Sequence, residues 1–303
     1  MVPNTGPVSL NSNFSGPVPL WATLQPFPQF GNGGYDGSAG YNGGNGVLVN
    51  GYPGGDSEYS SLQTKVQKRL TGHFTTLATF TWGKLMTDDG RPPLGFVGTH
   101  ATVVQDWRNM RYEHAIAPQD VKYSFTGQAS YDLPIGKGQA VNLNGVSNAL
   151  LGGWTVNGIL YLGTGVPIAS PVIEAPTGSY FNQRADLACD PSKGFQRSAS
   201  QWVNNSCFAF PASPFIPGTA PAYLDHVRTQ GARNFDTSIY KTFKLTETKA
   251  LRFDVSAYNL SNTRQFAAPS RVSMTSSGGA PYGAITQTIN TPRQFQFGAR
   301  FTF

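Results

Sequence analysis

Two cysteines, four histidines and a thin scatter of carboxylates are the groups through which this 303-residue chain could do chemistry. Cys189 and Cys207 could pair as a disulfide, stand as two thiols, or share a metal. Two thiolates without a neighbouring histidine fall short of the four-ligand set that zinc takes. His73, His100, His114 and His226 lie far apart, with no metal-ligand spacing. Asp88, Asp89 and Asp106 sit among turn residues, where a carboxylate caps a turn more often than it serves as acid or base. There is no nucleophile elbow. The Gly-rich runs at 30–35 and 41–46 are not set between a strand and a helix, as a phosphate-binding loop requires. The sequence predicts no catalytic residue, no metal site and no cofactor, and the chain is not expected to be an enzyme.

The balance of charges narrows the partners. A net charge of +6 would suit nucleic acid, but the Lys and Arg residues are scattered singly and form no basic face, so no nucleic-acid partner is expected. Charged residues make up only 13% of the chain, against roughly 25% in soluble domains. Aromatics reach 13%, yet the mean hydropathy is -0.27. No apolar run of about 18 residues exists, which excludes a transmembrane helix. Few charges, many aromatics and a non-hydrophobic average fit strands that alternate between a lipid-facing and a lumen-facing side.

The last residues carry that pattern most openly. Phe295, Phe297, Ala299, Phe301 and Phe303 alternate with Gln296, Gly298, Arg300 and Thr302. A strand sends successive side chains to opposite faces, so this segment has one apolar and one polar side. Its length suits a tilted bilayer crossing, which takes roughly 9–11 residues. Six further strands are expected, over 59–69, 73–84, 121–133, 154–162, 235–245 and 251–260. The connections alternate: short at 70–72, long at 87–117, medium-short at 134–152, long at 166–231, short at 246–249, long at 263–290. A membrane barrel with tight turns on one side and long loops on the other gives this rhythm. A soluble sandwich gives strands of about 5–6 residues and no such rhythm. The fold class expected is therefore all-β, an antiparallel transmembrane β-barrel segment of about seven long strands with long extracellular loops. Residues 1–56, rich in Gly, Asn and Pro, read as an irregular surface segment, and 57–303 as the barrel strands and their loops.

Seven strands would leave two unpaired edges in lipid, which is not tolerated. Residues 1–7 also lack the basic and apolar regions of a signal peptide. Both observations lead to the expectation that the chain is the carboxy-terminal part of a longer protein.

Several segments, taken in order, resemble the carboxy-terminal barrel of TonB-dependent outer-membrane receptors. They are Tyr59-Ser-Ser-Leu-Gln63 with Lys68-Arg69, Ala78-Thr-Phe-Thr-Trp-Gly-Lys84, Tyr131-Asp-Leu-Pro-Ile-Gly-Lys-Gly138 and Leu151-Gly-Gly-Trp-Thr-Val-Asn-Gly-Ile159. Phe243-Lys-Leu-Thr-Glu247, Tyr258-Asn-Leu-Ser-Asn-Thr263 and Pro292-Arg-Gln-Phe-Gln-Phe297 complete the set. The branch most similar is the Oar-like one of acidobacterial type, whose members carry a carboxypeptidase-regulatory-like domain. The resemblance spans about 25–303. It implies a 22-stranded barrel, of which this chain would be the carboxy-terminal third. It also implies a plug domain and a TonB box, which, like the signal peptide, these 303 residues are expected to lack. Its remaining implications are the outer membrane of a Gram-negative bacterium as location, outer-membrane lipid around the wall, and import of an unknown extracellular ligand. The final strand, through Phe295, Phe297, Phe301 and Phe303, would be the signal read by the barrel-assembly machinery. A surface adhesion or structural protein that binds a partner through its loops without transport is the alternative, and a secreted glycan-binding sandwich a third.

On this reading the cysteines fall in one extracellular loop, an oxidising setting, so a Cys189–Cys207 disulfide is expected over two unpaired thiols. Trp82, Tyr123, Tyr131, Trp154 and Tyr161, near strand ends or on apolar faces, are expected to form interfacial aromatic girdles. Lys65, Arg69, Lys122, Asp132, Arg252, Asp254 and Arg300 would be lumen wall. Lys241 interrupts its strand's apolar face; it either snorkels to a headgroup or marks a slipped register.

Overall fold

The computed structural model describes residues 55–88, 105, 109–172, 184–212, 216–269 and 282–303. Nearly all of the amino-terminal segment 1–56 lies outside them, as do His100, Asp89 and Asp106. Seven long strands run up and down as one antiparallel sheet: β1 (Ser57–Thr71), β2 (Phe74–Thr87), β4 (Tyr123–Asp132), β5 (Trp154–Gly163), β10 (Ala232–Lys244), β11 (Ala250–Tyr258) and β12 (Gln294–Thr302). Each pairs with its neighbour in that order. Within the described residues β1 and β12 stand at the two ends of this order. Strands of 9 to 15 residues exceed what a soluble sheet uses and match what a tilted membrane crossing needs. The seven expected strands are thus present, with ends displaced by a few residues. The first hairpin closes one residue later than expected, because Gly72 and His73 both take positive φ (58° and 51°). Such a two-residue turn matches the twist of the strands it joins.

The register gathers the large apolar side chains of all seven strands on one face. Leu62 pairs with Trp82 and Trp82 with Tyr123. Eight residues away along β2, Phe74, Tyr131, Val156, Ile239, Val255 and Phe297 form a continuous cross-strand row. Between these lies the row Val66, Ala78, Gly127, Leu160 and Phe235. The opposite face carries Lys65, Thr126, Gln128, Ser130, Asp132, Asn157, Asp236, Ser238, Arg252, Asp254 and Arg300. Its side chains bond across strands: Thr155 donates to Asp132 Oδ1 at 2.6 Å and Asn157 to Ser238 at 3.3 Å. The Arg252 guanidinium lies 3.9 Å from the Tyr240 ring centroid.

Two expectations are corrected here. Tyr161 opposes Thr126 and Asn234, so it belongs to the polar face and not to an outer girdle. It lies an odd number of residues from Trp154, and a period of two sends it to the other side. Two of the long connections, expected to be irregular, also contain short strands among their described residues. Ala115–Ile116 (β3) pairs antiparallel with the end of β2; Pro167–Ala169 (β6) pairs with Tyr223–Arg228 (β9), and Asp186–Leu187 (β7) with Phe208–Ala209 (β8). These strands are too short to show a periodic pattern. The β4–β5 connection holds a short helix, α1 (Gly145–Leu151), in what had read as plain chain.

Candidate functional site

The buried core of the described residues is in the long connections, not in the sheet. Ile168, Val203, Phe208, Leu224, Val227 and Tyr282 form one cluster. Ala115, Ile116, Ala169, Ala222 and Tyr223 form a second, packed against Met86 at the end of β2. Three connections that are distant in sequence thus fold into one module seated on the long-loop end of the wall.

A buried ion pair holds its centre. Arg184 and Glu113 are 2% and 1% exposed and meet at 2.8 Å. Arg184 also donates through Nε to the Ala220 carbonyl at 2.9 Å and through Nη2 to Tyr112 O at 2.5 Å. Glu113 Oε1 accepts from the Gln105 backbone N–H at 2.8 Å. Gln105 Oε1 accepts from the N–H groups of Arg184 and Gly218. Charges this deep persist only when every polar atom is matched. Gly218 is needed for the same packing, since a Cβ there would run into the Arg184 carbonyl.

A second pair ties the module to the wall. Arg228 Nη2 meets Asp120 Oδ2 at 2.7 Å, with Asp120 only 1% exposed. Asp120 Oδ1 accepts from the Leu85 N–H of β2 at 2.6 Å. Arg228 also reaches the Gly165 carbonyl just past β5. On the other flank Asn259, at positive φ, accepts from Thr263 N–H and donates to the Thr263 and Thr291 carbonyls. This explains why asparagine follows Tyr258 at the end of β11: it both tolerates the left-handed turn and closes it.

Cys189 and Cys207 are joined as a disulfide, with Cα atoms 4.9 Å apart, and Cys207 is fully buried. Closing a loop of this size stabilises by about 3 kcal/mol. Cys207→Ser is expected to speed thermolysin cleavage within 184–212 in intact membranes while the sheet stays resistant. Unchanged cleavage would show that the bond does not hold the module.

The module and the wall enclose a cleft of about 280 Å³, with an apolar floor of Met86, Ile116 and Tyr223 and a polar rim of Lys84, Asp225 and His226. Lys84 and Asp225 pair at 3.6 Å across the opening. Burial would raise the Asp225 carboxyl, but the hydrogen bond from Arg228 and the charges of Lys84, Arg228 and His226 outweigh it and hold the group below its ordinary range. Tyr223 is 2% exposed and its hydroxyl has no partner among the described residues.

Of the other residues singled out from sequence, Trp82, Tyr123, Tyr131 and Trp154 share the apolar face. Trp82 and Tyr123 stack at 6.4 Å, and Phe74 meets Tyr131 edge-on at 6.3 Å. Trp82 and Phe74 are eight positions apart on β2, about 26 Å along the strand, or roughly 20 Å of height at the usual barrel tilt. Phe295, Phe297 and Phe301 line the same face of β12, all more than half exposed, and Phe303 follows them. His114 and Asp88, far apart in sequence, meet at 2.6 Å on the surface. Among the described residues no group of three His, Cys, Asp or Glu side chains comes together as a metal site. The register of β10 is continuous through Lys241, so the interrupted pattern is not a slip. The Glu113–Arg184–Gln105 and Asp120–Arg228 networks had no signal in the sequence.

A long-stranded up-and-down sheet with one apolar and one polar face, tight turns at one end and an ordered module at the other, defines an outer-membrane barrel wall. The model of the outer membrane beta barrel domain family matches residues 10–296, and the chain belongs to that family. No curated protein and no solved structure matches it.

Proposed function

We propose that this chain forms part of the barrel wall and the ligand-facing extracellular loops of a TonB-dependent receptor. In such a receptor the module captures a ligand at the cell surface, and import follows displacement of a plug domain. One observation carries this reading: the described parts of the long connections pack into a disulfide-linked module with a cleft between it and the wall. A barrel that served only as an anchor would not need a preformed pocket over its wall. The apolar face then meets outer-membrane lipid, with Trp82 and Tyr123 as one girdle and Tyr131 and Trp154 as the other. The polar face lines the lumen, and β12 with its phenylalanines is presented to the assembly machinery.

The test is to isolate native outer membranes after chemical cross-linking and probe them with an antibody against the 166–231 loop. The expected result is a band far larger than 32.6 kDa that also contains TonB. A band at 32.6 kDa that never captures TonB would replace import with the adhesion reading.

A further inference from the structure

The helix α1 lies at the tight-turn end of the wall, between β4 and β5. It carries no charged side chain, and its Val146, Leu150 and Leu151 are 75%, 60% and 58% exposed. Seven residues are too few to hold a helix in water without packing. Here two side chains from the wall hold it. Trp154 Nε1 donates to the Leu150 carbonyl at 2.9 Å. Lys241 Nζ donates to the Ala149 carbonyl at 2.5 Å and to Asn148 O at 3.4 Å. A cation is favoured at the last carbonyls of a helix. Trp154 and Lys241 are direct cross-strand partners on the apolar face. The helix therefore sits on the outer rim of that face and not below the lumen. It also hides a lysine that interrupts the face, leaving Lys241 only 5% exposed.

We propose that α1 is an interfacial foot. It seats Val146, Leu150 and Leu151 in the headgroup–acyl boundary of the phospholipid leaflet on the tight-turn side, which in bacterial barrels is the periplasmic one. The Lys241–Trp154 clamp is its tether. The occupant follows from continuity: the exposed leucines and valine extend the apolar face past its rim. An uncharged helix has nothing to recognise a charged protein partner. The inference rests on the apolar face being the lipid-facing one, and the experiment separates the two.

Single cysteines at Val146, Leu150, Thr248 and Ile239 of the full chain are labelled with a small fluorophore in outer-membrane vesicles; the native cysteines are already paired. Quenching by nitroxide-bearing phospholipid is compared with quenching by aqueous iodide. Lipid quenching at 146 and 150 is expected to exceed that at the tight-turn position 248 by about threefold, with iodide reaching them weakly. Iodide quenching equal to that at 248 would overturn the proposal. So would protection from both quenchers, the signature of a covering protein or second copy. Failure of lipid to quench position 239 would instead overturn the lipid-facing reading of the wall.

Discussion

Replacing Arg184 by methionine is expected to unfold the loop module while leaving the wall intact. The substitution strands Glu113, 1% exposed, as an uncompensated buried carboxylate. It also removes the donors to the Ala220 and Tyr112 carbonyls. Breaking a buried pair from one side costs about 3–5 kcal/mol, more than one disulfide of this loop length supplies. Hydrogen exchange should rise throughout 184–228 and stay low in β5 and β10, whose backbone bonds belong to the sheet. The double variant Glu113→Met with Arg184→Met should recover much of the loss, because neither charge is then left alone. Unchanged protection in Arg184→Met would mean that the apolar clusters alone hold the module.

The second large effect separates the two faces of one strand. Leu160 lies in the apolar row between the aromatic bands, and Asn157 on the polar face of the same strand. An arginine at Leu160 is expected to destabilise the protein in membranes by about 2–4 kcal/mol, the cost of a charge at mid-depth on a lipid-exposed strand. An arginine at Asn157 should cost far less, since that face already holds Asp132, Asp236 and Arg252 and solvates charge. Unfolding by denaturant in lipid vesicles reads both. Equal losses at the two sites would deny that the faces meet different solvents.

How much of this was legible in the sequence follows from the range of the interactions. The alternation in β4 from Tyr123 to Asp132, and in β12 from Gln294 to Thr302, is a local pattern imposed by a two-sided environment, so reading the residues in order recovers it. Connection lengths likewise revealed which end has tight turns. Tyr161 was misplaced because its residue type suggested a girdle while its parity did not. Lys241 looked like an exception to the pattern and became intelligible only with α1 in place, since its partners are backbone carbonyls some ninety positions away. The loop module was opaque for the same reason. Gln105 and Glu113 meet Arg184 and Gly218 across separations of 71 to 113 residues, and polar residues that meet at such range leave no period behind. The cysteines are the exception, because their chemistry alone restricts what they can do in an exported loop.

The account stands on the claim that the apolar face of the sheet is immersed in the bilayer. A nitroxide scan from Thr155 to Leu162 of β5 in native outer-membrane vesicles tests it most directly. Collision with dissolved oxygen, which concentrates in lipid, should peak at Val156, Gly158, Leu160 and Leu162, and a water-soluble relaxant should peak at the positions between. Peaks shifted by one residue, or an accessibility without a period of two, would contradict the assignment of the faces and with it the membrane wall.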